Sequence, residues 1–299
     1  MKKYINPILL PIFIDSCSSE TSAQLNTGSV KECLEGLTTK LYLALNSQRF
    51  DTVDAFKDQA IWDAAILDKS IVPLFDVYEV ASDNTDAVKY ETGNFVYTTK
   101  KEIKKMVAES YLSICSHRAL KSYENSDYTQ VYEATDKGEI LGVYDDDGVR
   151  VKGQDMSDFD VHIRERPTND KPAFSMITVT FRDFEEFENN GIVVKPSWDP
   201  NTLNGIFELQ LKILTTSDTE ITFSALSSCG NNYYNELSDT DMLLLDAASS
   251  PQSIVSMTNA NNIYTATGVA LVTGTLATDG VVTINENNVE SQPAAVTIV

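Results

Sequence analysis

The chain has few cations, only two histidines and two tryptophans, no closely spaced cysteines, and no apolar run long enough to span a membrane. Each shortage removes a class of function. With 23 Lys and Arg against 44 Asp and Glu the formal charge is −21, and residues 204–299 hold ten carboxylates beside a single cation, Lys212. Wrapping nucleic acid by phosphate neutralisation requires clustered cations and is not expected. Passage of DNA along an acidic, non-adhering surface is compatible with this charge. Cys17, Cys33, Cys115 and Cys229 show no CxxC or other metal-type spacing. They read as buried free thiols of a reducing compartment. His117 and His162 belong to no HExxH or similar ligand pattern, and no GxSxG elbow, phosphate loop or dinucleotide fingerprint occurs. No catalytic residue, metal or cofactor is expected, and the chain does not read as an enzyme.

What is present is the composition of a folding chain. Its 299 residues suffice for two ordinary domains, with 42% hydrophobic and 22% charged residues. At the N-terminus, Met1-Lys2-Lys3, the apolar run Ile8 to Ile14 and then Cys17 resemble a lipoprotein signal. Pro11 inside that short run and Asp15 just before Cys17 argue instead for an extended arm.

Periodicity predicts helices over Ser29–Ala44, where Val30, Cys33, Leu34, Leu37 and Leu41 fall on one face, and over Thr52–Leu67, with Thr52 as cap, Val53, Phe56, Ala60 and Ala64 inward and Trp62 nearby. Ile71–Val80 reads as a strand. The closest match to helical spacing covers Thr99–Leu120 (Ile103, Met106, Val107, Ser110, Tyr111, Ile114, Cys115, Arg118), although Lys100, Lys101, Lys104 and Lys105 oppose the dipole at its start. The pattern then turns to β. Thr129–Ala134, Glu139–Tyr144 and Val149–Gly153 are separated by the turn signals Asp136-Lys137-Gly138 and Asp145-Asp146-Asp147-Gly148, and Asp160–Glu165 and Phe174–Phe181 add two more strands. A short acidic helix, Arg182–Glu188, ends at Asn189-Asn190-Gly191.

Turn formers crowd Lys195–Gly205, which marks a boundary between an N-terminal domain (1–200) and a C-terminal one (204–299). Beyond it, short strands are expected at Phe207–Leu214, Glu220–Leu226, Met242–Leu245, Ser253–Met257, Asn262–Ala266, Val269–Thr273, Val281–Ile284 and Ala295–Val299. The expected fold is therefore an α+β domain, with helices plus antiparallel β and a long hairpin around Val131–Gln154, followed by an all-β immunoglobulin-like sandwich.

The acidic cluster Asp145-Asp146-Asp147-Gly148 lacks the alternating oxygen ligands of a calcium loop and reads as a solvated turn. Gly138, Gly142, Asp145, Asp146, Asp147, Gly148, Arg164 and Arg166 are the candidate subunit-interface residues. Arg164-Glu165-Arg166 and the run Arg182–Glu188 suit contacts through charge complementarity.

The order of arm, helices, long hairpin, the phrase Val151-Lys152-Gly153-Gln154 running into Phe159, and a Thr/Ala/Val/Gly-rich tail resembles virion proteins of tailed bacteriophages, most of all tail-tube and neck-ring subunits. The resemblance implies a homo-oligomeric ring or tube in the virion, synthesised in the host cytoplasm. Its partners would be copies of itself, other virion proteins, and DNA passing an acidic lumen without specific binding; no membrane is involved. The competing expectation is a secreted or lipid-anchored surface protein whose C-terminal β-sandwich is a binding module.

Overall fold

The computed structural model describes residues 35–92, 95–227, 232–268, 271–284 and 287–298. Two compact units divide between Leu203 and Asn204. Both are dominated by strands.

The first unit runs β1 (Thr38–Leu45), α1 (Val53–Lys57), α2 (Gln59–Leu67), β2 (Ile71–Pro73), β3 (Val80–Ser82), β4 (Val88–Thr92), β5 (Phe95–Lys100), β6 (Lys105–Ser110), α3 (Ile114–Lys121), β7 (Tyr128–Thr135), β8 (Ile140–Tyr144), β9 (Val151–Lys152), β10 (Gln154–Val161), β11 (Ser175–Phe181), α4 (Glu186–Asn190) and β12 (Gly191–Val194). A ten-stranded sheet in the order β12-β8-β7-β10-β11-β6-β3, with β1 joined to β2 and β7 and with β9 joined to β8, forms its frame.

Both faces of this sheet are covered. Tyr42 and Ala44 of β1 enter one hydrophobic cluster with Phe50, Phe56, Trp62, Tyr132 and Ile192. Leu41 and Leu43, the alternate residues, enter another with Met106, Phe159, Ile177 and Val179. A strand buried on both faces shows a continuous apolar run instead of alternation. The first cluster is aromatic at its centre: the Trp62 ring lies 4.9–5.6 Å from those of Tyr42, Phe50, Phe56 and Tyr132, and its Nε1 donates to the Phe56 carbonyl at 2.8 Å.

The expected α+β domain with long helices is overturned: among the described residues the longest α-helix, α2, has nine residues. Where a helix was expected over Ser29–Ala44, residues 38–45 are β1, and residues 29–34 lie outside the described residues. Its Leu37 and Leu41 spacing mimics a helix face because Leu41-Tyr42-Leu43-Ala44 is buried on alternate sides. Over Thr99–Leu120 the chain forms the end of β5, then β6, and becomes helical only at Ile114. Burial along β6 alternates, with Met106, Ala108 and Ser110 inside, and its ladders to β11 and β3 outweigh the local helical spacing. The Thr52 helix exists as α1 and α2, broken at Asp58: Thr52 Oγ1 accepts from the Ala55 N–H and Asp58 Oδ1 from that of Ala60. Ala60 and Ala64 are exposed; Trp62, Ala65 and Ile66 are the buried face. Ile71–Val80 is interrupted between β2 and β3.

The second unit comprises β13 (Phe207–Thr216), β14 (Glu220–Ser227), β15 (Met242–Asp246), β16 (Pro251–Gln252), β17 (Ile254–Ala260), β18 (Ile263–Gly268), β19 (Gly274–Thr278), β20 (Val282–Ile284), β21 (Asn287–Ser291) and β22 (Ala294–Val296). Six strands (β17-β18-β14-β13-β21-β20) and four (β16-β15-β19-β22) contribute to one core, in which Phe223 stacks on Tyr264 at 5.1 Å. An immunoglobulin-like sandwich of antiparallel strands is not what forms. The sheets hold six and four strands, and β13 pairs with β21 in parallel. Of the expected strand Val269–Thr273, residues 271–273 are irregular and 269–270 lie outside the described residues, while β16 and β21 carry no clear alternation to announce them.

Candidate assembly surface

One feature of the first unit is not packed against its own chain among the described residues. From β3 and β6 the pairing runs in unbroken register away from the sheet: Val80 opposite Ala108, Ser82 opposite Met106, Thr85 opposite Ile103, and Val88 opposite Lys100. After a bulge it continues from Lys89 opposite Thr98 to Thr92 opposite Phe95. Strands β3 to β6 are thus a single long hairpin whose root belongs to the ten-stranded sheet and whose outer part, β4 and β5, is exposed at every residue.

Alternation along a strand sends successive side chains to opposite faces, and here it sorts them by chemistry. Tyr90 lies across from Tyr97 and Thr92 across from Phe95 on one face; Lys89, Glu91, Val96 and Thr98 occupy the other. The three rings of the first face are 59%, 68% and 79% exposed for Tyr90, Tyr97 and Phe95. An isolated two-stranded hairpin is at best marginally stable in water, and contiguous exposed aromatics mark a surface intended for burial. Residues 88–105 also carry Lys89, Lys100, Lys101, Lys104 and Lys105 against Glu91 and Glu102, a local charge of +3 on a chain of −21. Two of these lysines fasten the hairpin to the sheet: Lys104 Nζ sits 5.7 and 5.6 Å from the ring centres of Phe181 and Phe187, and Lys101 Nζ 5.7 Å from that of Phe184. At the root, Tyr78 and Tyr111 pair at 4.9 Å beside exposed Phe75, Asp76 and Glu79.

The interface candidates read from the sequence lie elsewhere: Gly142 on β8, Gly138 and residues 145–148 in the turns that flank it, and Arg164 and Arg166 in the segment after β10. Val131–Gln154 does not project, since β7, β8 and β9 are buried along most of their length. Gly138 (φ +73°) and Gly148 (φ +69°) close its turns. Gly142 faces a tight gap in which an added Cβ would lie 3.1 Å from the Lys152 carbonyl oxygen and from the Phe56 ring. Asp145 accepts from Arg49 Nε at 2.9 Å and pairs with Arg150 at 3.1 Å. Burial opposes its ionisation, but the two guanidiniums and local hydrogen bonds hold its carboxyl below the usual range. Asp147 accepts from the Val149 and Arg150 N–H groups and from Arg150 Nε, which lowers its pKa to about 2. Asp146 is exposed. Asp147 is therefore engaged within its own turn, and Asp145 by Arg150 and the distant Arg49. Arg164 Nε donates to the Leu112 carbonyl and Arg166 is exposed.

His117 is buried with Nδ1 at 2.9 Å from Ser175 Oγ, and burial, Lys121 and Arg164 lower its pKa. His162 Nε2 lies 2.8 Å from Thr178 Oγ1 and 3.5 Å from Asp160. Among the described residues no group of three His, Cys, Asp or Glu converges as a metal site. Cys115 corrects the expectation of free thiols, because it is disulfide-bonded.

The hairpin had a signal that helical spacing concealed: Gly93-Asn94 stands between Val88–Thr92 and Phe95–Lys100, a two-residue turn pair flanked by alternating side chains. No family model matches the chain, and no curated protein matches it.

Proposed function

We propose that the chain is a virion structural protein of a tailed bacteriophage that assembles with copies of itself into a ring or tube in the tail or neck. The observation that carries this reading is the hairpin whose aromatic face has no cover among the described residues, a surface suited to burial against a further copy. Support also comes from the covered ten-stranded sheet, which ends on the exposed edge strand β3; closing such edges between subunits removes an aggregation hazard. The excess of carboxylates would line a lumen that repels the phosphate backbone over about 8 Å at physiological ionic strength, so that DNA passes without adhering. The test is the native mass of the purified chain by light scattering, with electron microscopy of what elutes. Closed rings or tubes are the expected result, and a monomer of 33.1 kDa at all concentrations counts against it.

The Cys115 disulfide favours a second reading, a secreted or lipid-anchored surface protein whose C-terminal unit is a binding module, because disulfides persist in oxidising surroundings. Intact mass of the protein from its native source separates the two. A chain shortened to Cys17 and bearing lipid there would establish the surface protein.

A further inference from the structure

The second unit has one sheet edge without the usual guards. Among the described residues β17 pairs with β18 alone and is the outer strand of the six-stranded sheet. Edge strands are ordinarily kept from pairing with other chains by shortness, charge, proline or bulges. The other outer strands are two to four residues long or, in β4 and β5, carry Lys89, Glu91 and Lys100. β17 has seven residues, Ile254–Ala260, with neither charge nor proline. Its one irregularity, between Ile254 and Ser256, leaves Ser256 to Ala260 in continuous register with Thr267 to Ile263. Ile254 and Met257 pack against the unit's core, while Val255 and Thr258 are exposed.

The missing charge extends well beyond the strand. Residues 247–278 contain no Asp, Glu, Lys, Arg or His, in a chain of which 22% is charged. β17 and β18 thus form a neutral margin on a unit that holds ten carboxylates beside one lysine. An antiparallel strand turns the N–H and C=O groups of alternate residues to opposite sides, so those of β17 that face away from β18 have no ladder partner among the described residues.

We propose that β17 is a strand-addition edge, which pairs antiparallel with β17 of a second copy and joins two six-stranded sheets across a two-fold axis. Charge selects that occupant. A basic peptide or protein would be held best where carboxylates lie, and this strand offers none. A partner as acidic as the chain itself can approach closely only where neither side brings charge, and a second copy brings the same neutral, open edge. Two antiparallel copies of one strand are self-complementary, as a two-fold contact requires. The pairing concerns the second unit and does not depend on a ring built by the first. Seven residues make a small interface, so it forms at high concentration and dissociates on dilution.

The test is amide hydrogen exchange on the full chain, read by mass spectrometry at about 1 µM and about 200 µM, beside the native mass. At the higher concentration the β17 amides are expected to exchange at least about tenfold more slowly, while those of β20, the opposite edge of the same sheet, keep their rate. Val255→Lys with Thr258→Lys, and separately Val255→Glu with Thr258→Glu, place like charges across the axis. Both altered side chains are exposed, so circular dichroism should stay that of the wild type. Each variant alone is expected to lose the concentration-dependent protection. Mixed in equal amounts, the two are expected to regain it, because lysine then faces glutamate; a variant merely damaged in folding would not be rescued.

Protection that fails to appear at β17, that appears equally at β20, or that survives in both variants overturns the inference. A mixture without recovery overturns the two-fold pairing as well. Rings or tubes without β17 protection sink this inference and leave the ring reading standing. Dimers of about 66 kDa, twice 33.1 kDa, that protect β17 and never form rings do the reverse.

Discussion

Lys152 is a buried cation whose removal should be felt by the whole first unit. Its ammonium lies 2.8 Å from Asp155 and 2.8 Å from Glu186, and the side chain is 8% exposed; Glu186 also accepts from the Asp155 N–H at 2.8 Å. The cluster thus pins the first residue of α4 to β9 and β10. Burial by itself would lower the lysine pKa, but Glu186 and Asp155 more than offset it and the value is raised. Since the folded pKa lies above the unfolded one, this contribution is complete below pH about 10.5 and is lost as pH rises through the folded value. Lys152→Met keeps the apolar stem and deletes the charge, leaving two carboxylates facing each other. Breaking a buried pair by removing one partner costs about 3–5 kcal/mol. Asp155 retains the Gln130 amide at 3.1 Å and some solvent, so the lower end, about 3 kcal/mol, applies. Both tryptophans, Trp62 and Trp198, belong to the first unit, so urea denaturation followed by their fluorescence reports on it alone. At a slope of about 2 kcal/mol per molar urea, the midpoint should fall by roughly 1.5 M at pH 7. It should fall less at pH 5, where a carboxyl can take up a proton. Adding Glu186→Gln should restore at least half the loss. A midpoint shift worth less than about 1 kcal/mol, or a double variant no better than the single, would refute the reasoning.

Three further outcomes are expected. Burial raises the pKa of Glu133, whose carboxylate accepts from Thr38 Oγ1 at 2.6 Å, so the folded state holds this proton more tightly than the unfolded one. The gain is fullest at low pH and declines as pH rises through the folded value; titrating stability should show the wild type gaining on Glu133→Gln as pH falls from 7 toward 5. Gly142→Ala should cost about 1–3 kcal/mol, read in the same urea assay, because the new methyl meets Lys152 backbone and the Phe56 ring together. Tyr264→Phe removes a hydroxyl that accepts from the Leu237 N–H at 3.1 Å and donates to the Tyr234 carbonyl at 2.8 Å; the second unit should lose about 1–3 kcal/mol by circular dichroism while tryptophan fluorescence stays unchanged.

Local chemistry was legible wherever it acts over a few residues. Gly138 and Gly148 adopt positive φ in turns that their sequences announce, Thr52 caps a helix, and Ile177, Val179 and Phe181 alternate along β11 as their spacing requires. These features depend on one residue's conformational range, one side-chain hydrogen bond, or one strand with a single period.

Tertiary structure decided the rest. The run Leu41 to Ala44 has no readable period because it is buried on both faces, and Met106 to Ser110 follows helical and strand spacing alike until β11 and β3 pair with it. Nor could spacing reveal that the Asp145 turn is engaged with Arg49, 96 residues away, or that the aromatic face of β4 and β5 finds no cover among the described residues. Such outcomes depend on which distant segments arrive alongside, and ladder hydrogen bonds and burial against those segments outweigh the few tenths of a kcal/mol per residue by which local propensities differ.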